Sequence, residues 1–168
     1  MKTHPFSTGE PLAYFLTWTT YGAWLPGDER GWQRRNEIEI QPPDKLFKEM
    51  AVADMVESPF LASKTDRDNI RQTVERHCQI RQWDLHKLNV RSNHIHVVVT
   101  APDYEPNTVR DQLKAWCTRN LKKLHPGRKR FWTEGASCRW INHEDDLESA
   151  ILYISDEVQD EKRKTKPR

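Results

Sequence analysis

Residues 83–102 read WDLHKLNVRSNHIHVVVTAP and supply the hairpin around which the other elements are placed. Residues 83–93 read as a strand followed by a tight turn. Residues 94–102 read as a second strand, ended by Pro102. The two lie close enough in sequence to form a hairpin. Side chains on a strand alternate between faces. His94, His96 and Val98 therefore share one face, and Ile95, Val97 and Val99 share the other. The second set is purely aliphatic and belongs beneath packed helices. The histidines then stand on the face those helices leave open. Two imidazoles at i, i+2 converge well enough to hold one metal ion. Two hydrogen-bonded histidines at a sheet surface give the same pattern, so the spacing alone leaves both readings open.

Working outward, LAYFLTWTTY (12–21) is aromatic and β-branched and reads as a strand. Residues 22–62 show no sustained period. They open with Gly and Pro, contain Pro42-Pro43 and Pro59, and read as a long excursion of the functional or mobile kind. A helix is predicted over 65–82, capped by Thr65, with Asp66 and Asp68 in its first turn. Ile70, Val74 and Cys78 form its core stripe. A second helix is predicted over 107–124, with Val109, Leu113, Trp116, Cys117, Leu121 and Leu124 in helical period and Pro126-Gly127 as its stop. FWTEGASCRWI (131–141) reads as a fourth strand with a glycine irregularity, and a third helix is predicted over 143–160. The order βαββαβ is that of a ferredoxin-like α+β sandwich with an antiparallel sheet. The extra C-terminal helix is left for the open face. Trp18, Trp116, Trp132 and Trp140 fall on regular elements and are read mainly as core.

Composition bounds the function. A chain of 168 residues suggests one domain, 1–168, with the excursion at 22–62 and a basic tail at 161–168. Mean hydropathy is −0.92, but seven Trp, five Phe and four Tyr argue against disorder. Apolar runs are too short for a membrane span, and MKTHPFSTGEP lacks the apolar core of a signal peptide. Cys78, Cys117 and Cys138 form no CxxC, which argues against a disulfide scaffold or a zinc ribbon and for a reducing cytoplasm. Cys117 lies on the helix stripe and reads as a buried thiol, not a nucleophile. A net charge of +2 does not announce nucleic-acid binding; only its distribution can.

That distribution is uneven. Arg119, Lys122, Lys123, Arg128, Lys129 and Arg130 cluster around the turn after the second helix, where they can track a phosphate backbone or simply be solvated. Arg91 stands just before the histidines and reads equally as a phosphate contact or a turn cation. Lys162, Arg163, Lys164, Lys166 and Arg168 form the tail, which can embrace nucleic acid or keep the protein in solution. Trp24 and Trp32, in the excursion, either stack unpaired bases or cover a small satellite core. On the last helix, Leu147, Ala150, Ile151, Ile154 and Val158 form an apolar stripe. Tyr153 and Glu157 share one flank of it, one turn apart, and Gln159 projects from the other flank. Tyr153 and Glu157 can therefore point together into a site, or border the core as an amphipathic tyrosine and a solvated glutamate.

Taken together, these residues resemble a family. His94-Ile95-His96 followed by VVVT resembles the histidine–bulky apolar–histidine (HUH) motif, and Tyr153-Ile154-Ser155-Asp156-Glu157 resembles the tyrosine motif of its final helix. Phe131-Trp132 is similar to an aromatic pair that precedes that helix, and TYGAWLPGDERGW to a stretch of one subgroup. The family is the single-tyrosine HUH transposases, in particular the REP-associated tyrosine transposases, and the likeness covers roughly residues 12 to 160. The resemblance implies metal-dependent cleavage and transfer of single-stranded or hairpin DNA through a 5′-phosphotyrosine. It implies His94 and His96 as ligands of Mg²⁺ or Mn²⁺ and Tyr153 as the nucleophile. Glu157 stands where the family usually has Gln or Asn as third ligand, with Gln159 as an offset alternative. Ser92 stands where a proline is common, and the Asn-Pro that often follows the tyrosine is absent. Relatives act as monomers or as homodimers that exchange the tyrosine helix, and their setting is the prokaryotic cytoplasm at the nucleoid. Tyr21 and Tyr104 are competing nucleophiles that do not match the family position. Two other classes fit the same fold: a domesticated nucleic-acid-binding module without chemistry, and a water-using metal phosphodiesterase that needs the histidines but not the tyrosine.

Overall fold

The computed structural model describes residues 10–34, 37 and 39–164, the last six through their backbone. Strands β1 (Ala13–Thr19), β2 (Trp32–Gln33) and β3 (Ile40–Gln41) come first, then helices α1 (Lys45–Ala53) and α2 (Lys64–Arg81). The hairpin β4 (Asp84–Val90) and β5 (His94–Thr100) follows, and α3 (Pro106–Leu124), β6 (Ser137–Ile141) and α4 (Glu144–Lys164) complete the chain. The main sheet runs β4-β5-β1-β6, with every pair antiparallel. This is the α+β, ferredoxin-like order expected from the βαββαβ pattern.

Alternation along the central strands sorts the core into two layers. Tyr14, Leu16 and Trp18 of β1 and Ile95, Val97 and Val99 of β5 face α2 and α3 and meet Ile70, Val74, Val109, Leu113, Cys117 and Leu121. On the other face Ala13, Val98 and Ile141 receive Ile154 of α4, with Phe15, Leu147 and Ala150 at the margin. Val98 is fully buried although it shares its face with the histidines, because α4 covers that part of the sheet. A strand buried on both faces is what the unbroken run VVV requires.

Several sequence expectations are corrected. The cap of α2 is Ser63, not Thr65. Ser63 Oγ accepts from Asp66 N at 3.1 Å, and Asp66 Oδ2 accepts from Ser63 N at 3.0 Å, a reciprocal capping box two residues earlier. The excursion is not wholly irregular: it holds the β2–β3 ribbon and α1, capped by Asp44. Helix α1 is only nine residues long and buries none of them, and although Leu46, Phe47 and Met50 share one side, so short a segment among Pro-containing stretches shows no sustained period. The fourth strand is shorter than 131–141. Trp132 makes only an isolated bridge to Thr20 before β6 begins at Ser137. Trp18 is core, as expected, but Trp116 and Trp140 are 42% and 52% exposed. Trp116 lies on the outer seam of α2 and α3 over His77, and Trp140 sits on the edge strand β6, edge-on to Tyr14. Among the described residues no helix is long and apolar enough to cross a membrane.

Candidate active site

Antiparallel pairing puts Thr19 opposite His94 and Thr17 opposite His96, all on the sheet face that carries α4. The stripe of α4 docks Ile154 on Val98, and this turns the Tyr153–Glu157 flank toward the histidines. The donor atoms of His94, His96 and Glu157 all lie within 4.8 Å of one another. His96 Nε2 is 3.2 Å from Glu157 Oε2. The two imidazole rings stand 4.8 Å apart, and the Tyr153 ring is 6.1 Å from that of His96.

Each imidazole is held by its inner nitrogen. His94 Nδ1 donates to Asn93 Oδ1 at 2.7 Å, and His96 Nδ1 and Thr17 Oγ1 are 2.7 Å apart. A proton held at Nδ1 leaves the Nε2 lone pair for a ligand. Burial holds His96 well below the ordinary imidazole range, at about 4, with Glu157 pulling upward and the positive neighbours His94 and Arg91 pulling down. The imidazole is therefore neutral and ligand-competent near pH 7. Tyr153 is more than half exposed. The negative charge of Glu157 pushes its phenol above the ordinary value, helped by partial burial and by the hydrogen bond between them, while Arg91 opposes.

This donor set fits a divalent cation. Two imidazole nitrogens and one carboxylate oxygen suit a mid-row metal such as Mn²⁺ and also admit a harder ion. Glu157 Oε2 is buried without a hydrogen bond, although it faces His96 Nε2. A carboxylate oxygen in that position is costly unless it meets a cation. Arg91 Nη1 is 4.0 Å from Glu157 Oε1, so this basic residue stands at the site itself. Gln159 lies on α4, but its side chain is outside the described residues, as are those of Lys162, Arg163, Lys164, Lys166 and Arg168.

The remaining candidates are placed elsewhere. Arg119, Lys122 and Lys123 lie on the exposed side of α3, where Arg119 covers Trp116 at 5.1 Å and Lys123 Nζ reaches Asn120 Oδ1 at 3.3 Å. Arg128 is an internal clamp. It bonds both Ser58 O and Oγ, lies over Phe60 and Phe131, and comes within 3.8 Å of Glu57 Oε2. The backbone N–H groups of Lys129 and Arg130 donate to the Glu57 carboxylate at 2.9 and 3.0 Å, while their side chains are exposed. Tyr21 and Tyr104 pack against the α2–α3 core layer, away from the histidines. Burial pushes the Cys117 thiol up to about 12, as befits an inert core residue. Sequence reasoning missed Thr17 and Asn93 as supports of the histidines. Asn93 adjoins the motif and can be guessed from it, whereas Thr17 is identified only by the β1–β5 register.

Residues 56–157 match the sequence model of the family described as "Transposase IS200 like", which spans the histidine pair, Tyr153 and Glu157. That match covers more than half of the chain, which therefore belongs to the IS200-like transposase family, the proteins of DNA transposition. Among solved structures, the chain is similar to a REP-associated tyrosine transposase bound to a REP hairpin. The TM-score is 0.51 at 13% identity, over 92% of this chain and 70% of that one. It is also similar to a candidate transposase from Deinococcus radiodurans R1, with TM-score 0.51 and 15% identity, over 93% of this chain and 97% of that one. At these identities the likeness is one of fold. No curated protein matches the chain by sequence.

Proposed function

We propose that this transposase-family protein cleaves and rejoins single-stranded or hairpin DNA, with Tyr153 as nucleophile and His94, His96 and Glu157 as ligands of Mg²⁺ or Mn²⁺. The observation that carries this reading is the convergence of three donor atoms within 4.8 Å beside a tyrosine one helical turn from the third ligand. A divalent ion there would polarise the scissile phosphate and offset the charge that builds on it. Arg91 adds positive charge on the same side. The phenol is a weak nucleophile while Glu157 keeps it protonated, so the attack must remove that proton. Glu157, its hydrogen-bond partner, is positioned to take it. The Tyr153 oxygen bonds phosphorus, the bond from phosphorus to the 3′ oxygen breaks, and that oxygen leaves as a 3′-OH once protonated. The 5′ side stays on the enzyme as a phosphotyrosine, which conserves the bond for rejoining to another strand. The Tyr153 ring lies 6.1 Å from that of His96 in the same chain, which supports action within one copy, and a homodimer that exchanges α4 would preserve the same geometry. The exposed Lys122, Lys123, Lys129, Arg130 and Arg119 are offered as backbone contacts, and the place of action is the prokaryotic cytoplasm at the nucleoid.

The test is a denaturing gel with labelled hairpin DNA taken from the sequence flanking the gene, in Mn²⁺. The wild type gives a metal-dependent covalent adduct. Tyr153→Phe and His94→Ala/His96→Ala give none, and Tyr153→Phe still binds the DNA. Undiminished cleavage by Tyr153→Phe would instead assign the nucleophile to water. Binding of the cognate hairpin with no adduct under any metal would leave a non-catalytic nucleic-acid-binding module.

A further inference from the structure

Beside the histidine site, on the same sheet face, lies a cleft of about 830 Å³ that the chemistry above does not use. Its floor includes Thr17 and Thr19 of β1, one wall is Thr133 to Ser137, and the other is the excursion, with Trp24, Trp32 and Arg34. Thr17 belongs to both places, because its hydroxyl is the partner of His96 Nδ1. A strand with its phosphate at the histidines therefore has an adjoining residue within reach of this cleft.

The two tryptophans have separate fates. Trp32 is buried at 7% exposure against Phe47, with its ring N–H bonded to Pro42 O, and closes a satellite core. Trp24 is 40% exposed yet firmly held. Its indole Nε1 donates to Gly31 O at 2.7 Å, and Arg30 lies over its ring at 5.9 Å. Arg30 is itself fixed by Asp28, with 2.7 and 3.0 Å hydrogen bonds to the two carboxylate oxygens, and by Ala23 O at 2.7 Å. Asp28 is a buried carboxylate, and the Arg30 hydrogen bond holds it well below the usual range, at about 2. Burying a charge in a surface excursion is costly, and here the carboxylate sets Arg30 against the indole. Trp24 lines the cleft and Arg30 does not, so the cation that steadies the indole stands outside the space a ligand would fill. The loop packs closely on the start of α1 at Gly27, where φ is +84° and an added Cβ would come within 2.2 Å of Asp44 O, so that only glycine fits there. An aromatic platform that is already immobile loses little entropy when a flat ligand stacks on it. Glu37 and Glu134 also line the cleft, and their charges disfavour a phosphate there while accepting hydrogen bonds from base amino groups.

We propose that this cleft is a base-binding subsite, in which one unpaired base of the DNA strand stacks on Trp24 next to the scissile phosphate; this rests on the strand-transfer reading above. The test uses hairpin oligonucleotides carrying 2-aminopurine at single positions, either in the unpaired flank or within the stem. With wild type, at least one flank position is quenched on binding and stem positions are not. Trp24→Ala abolishes that quenching and weakens binding about tenfold or more, and Trp24→Phe preserves both. Photocrosslinking of wild type to a flank 5-iodouracil, mapped by mass spectrometry, provides an arm that needs no variant and places the adduct on the Trp24 peptide. Quenching and affinity unchanged in Trp24→Ala, or crosslinks only elsewhere, would overturn the subsite. A normal covalent adduct together with no effect of Trp24→Ala overturns the subsite alone. Quenching at Trp24 without any wild-type adduct leaves the subsite standing and overturns the strand-transfer reading.

Discussion

Ile154→Ala separates the site from the rest of the fold. The α4 face of the sheet is a small core: four fully buried residues, Ala13, Val98, Ile141 and Ile154, with Phe15, Leu147 and Ala150 at its edge. Ile154 is the one side chain that α4 itself buries completely among its described residues. Full burial of an aliphatic side chain is worth about 1.5–3 kcal/mol, and truncating it in a core costs about 2–5 kcal/mol. A central value of about 3 kcal/mol lowers the ratio of docked to undocked α4 by a factor of about a hundred. The larger layer, built on Leu16, Trp18, Ile95, Val97 and the two long helices, contains no residue of α4. Local opening of α4 is therefore expected without global unfolding. Hydrogen exchange read by mass spectrometry tests this. Amides in 150–158 should lose about a hundredfold in protection, and those of β1, β5, α2 and α3 should change little. Adduct formation should fall with the docked fraction, because Tyr153 and Glu157 leave the histidines together. Equal loss of protection along the whole chain, or full protection of α4 in the variant, would refute the division into two layers.

Three further outcomes follow from the site. His96 has a folded-state pKa near 4 against an ordinary 6.5. The metal-free unfolded chain thus binds one more proton than the native one between those values, so stability should be level above pH 6.5 and fall as pH drops toward 4. Denaturant titrations in chelator should show that slope and its loss in His96→Asn; a slope that survives the substitution assigns it to other groups. Glu157→Gln removes the charge that raises the Tyr153 phenol, so the phenol should titrate at lower pH in an ultraviolet difference titration, while Mn²⁺ affinity falls. An unmoved phenol would mean that Glu157 does not face it in solution. Thr17→Val keeps the shape of the strand but deletes the partner of His96 Nδ1, and should weaken Mn²⁺ binding about 10- to 100-fold in calorimetry. Unchanged affinity would show that the imidazole needs no such support.

Much of this was written locally. The alternation in His94–Thr100 assigned the aliphatic set to the helix side and the histidines to the other face, since a strand's period of two is fixed by backbone geometry. The apolar stripe of the last helix placed Tyr153 and Glu157 on one flank by the same kind of reasoning. The short exposed α1, the Ser63 cap and the exposed Trp116 and Trp140 were not legible. Exposure of an aromatic depends on how far a neighbouring element extends, which no local pattern records. The basic cluster divides for a similar reason. Arg128 is drawn inward by Glu57, Ser58 and Phe60 from a distant part of the chain and by nearby Phe131, whereas Lys129 and Arg130 keep exposed side chains.

Local sequence was enough for the βαββαβ order of the main sheet and its helices, the two faces of β5 and the helical offset between Tyr153 and Glu157, because each follows from the periodicity of a single segment. Only the tertiary structure decided that Thr17 supports His96, that Glu157 comes within 3.2 Å of it, and that of the two tryptophans on one cleft wall Trp24 is exposed and Trp32 buried. Those facts depend on strand register, on the docking of α4 and on the packing of the excursion. Each of these is set by contacts between residues far apart in the chain, whose energies no single segment contains.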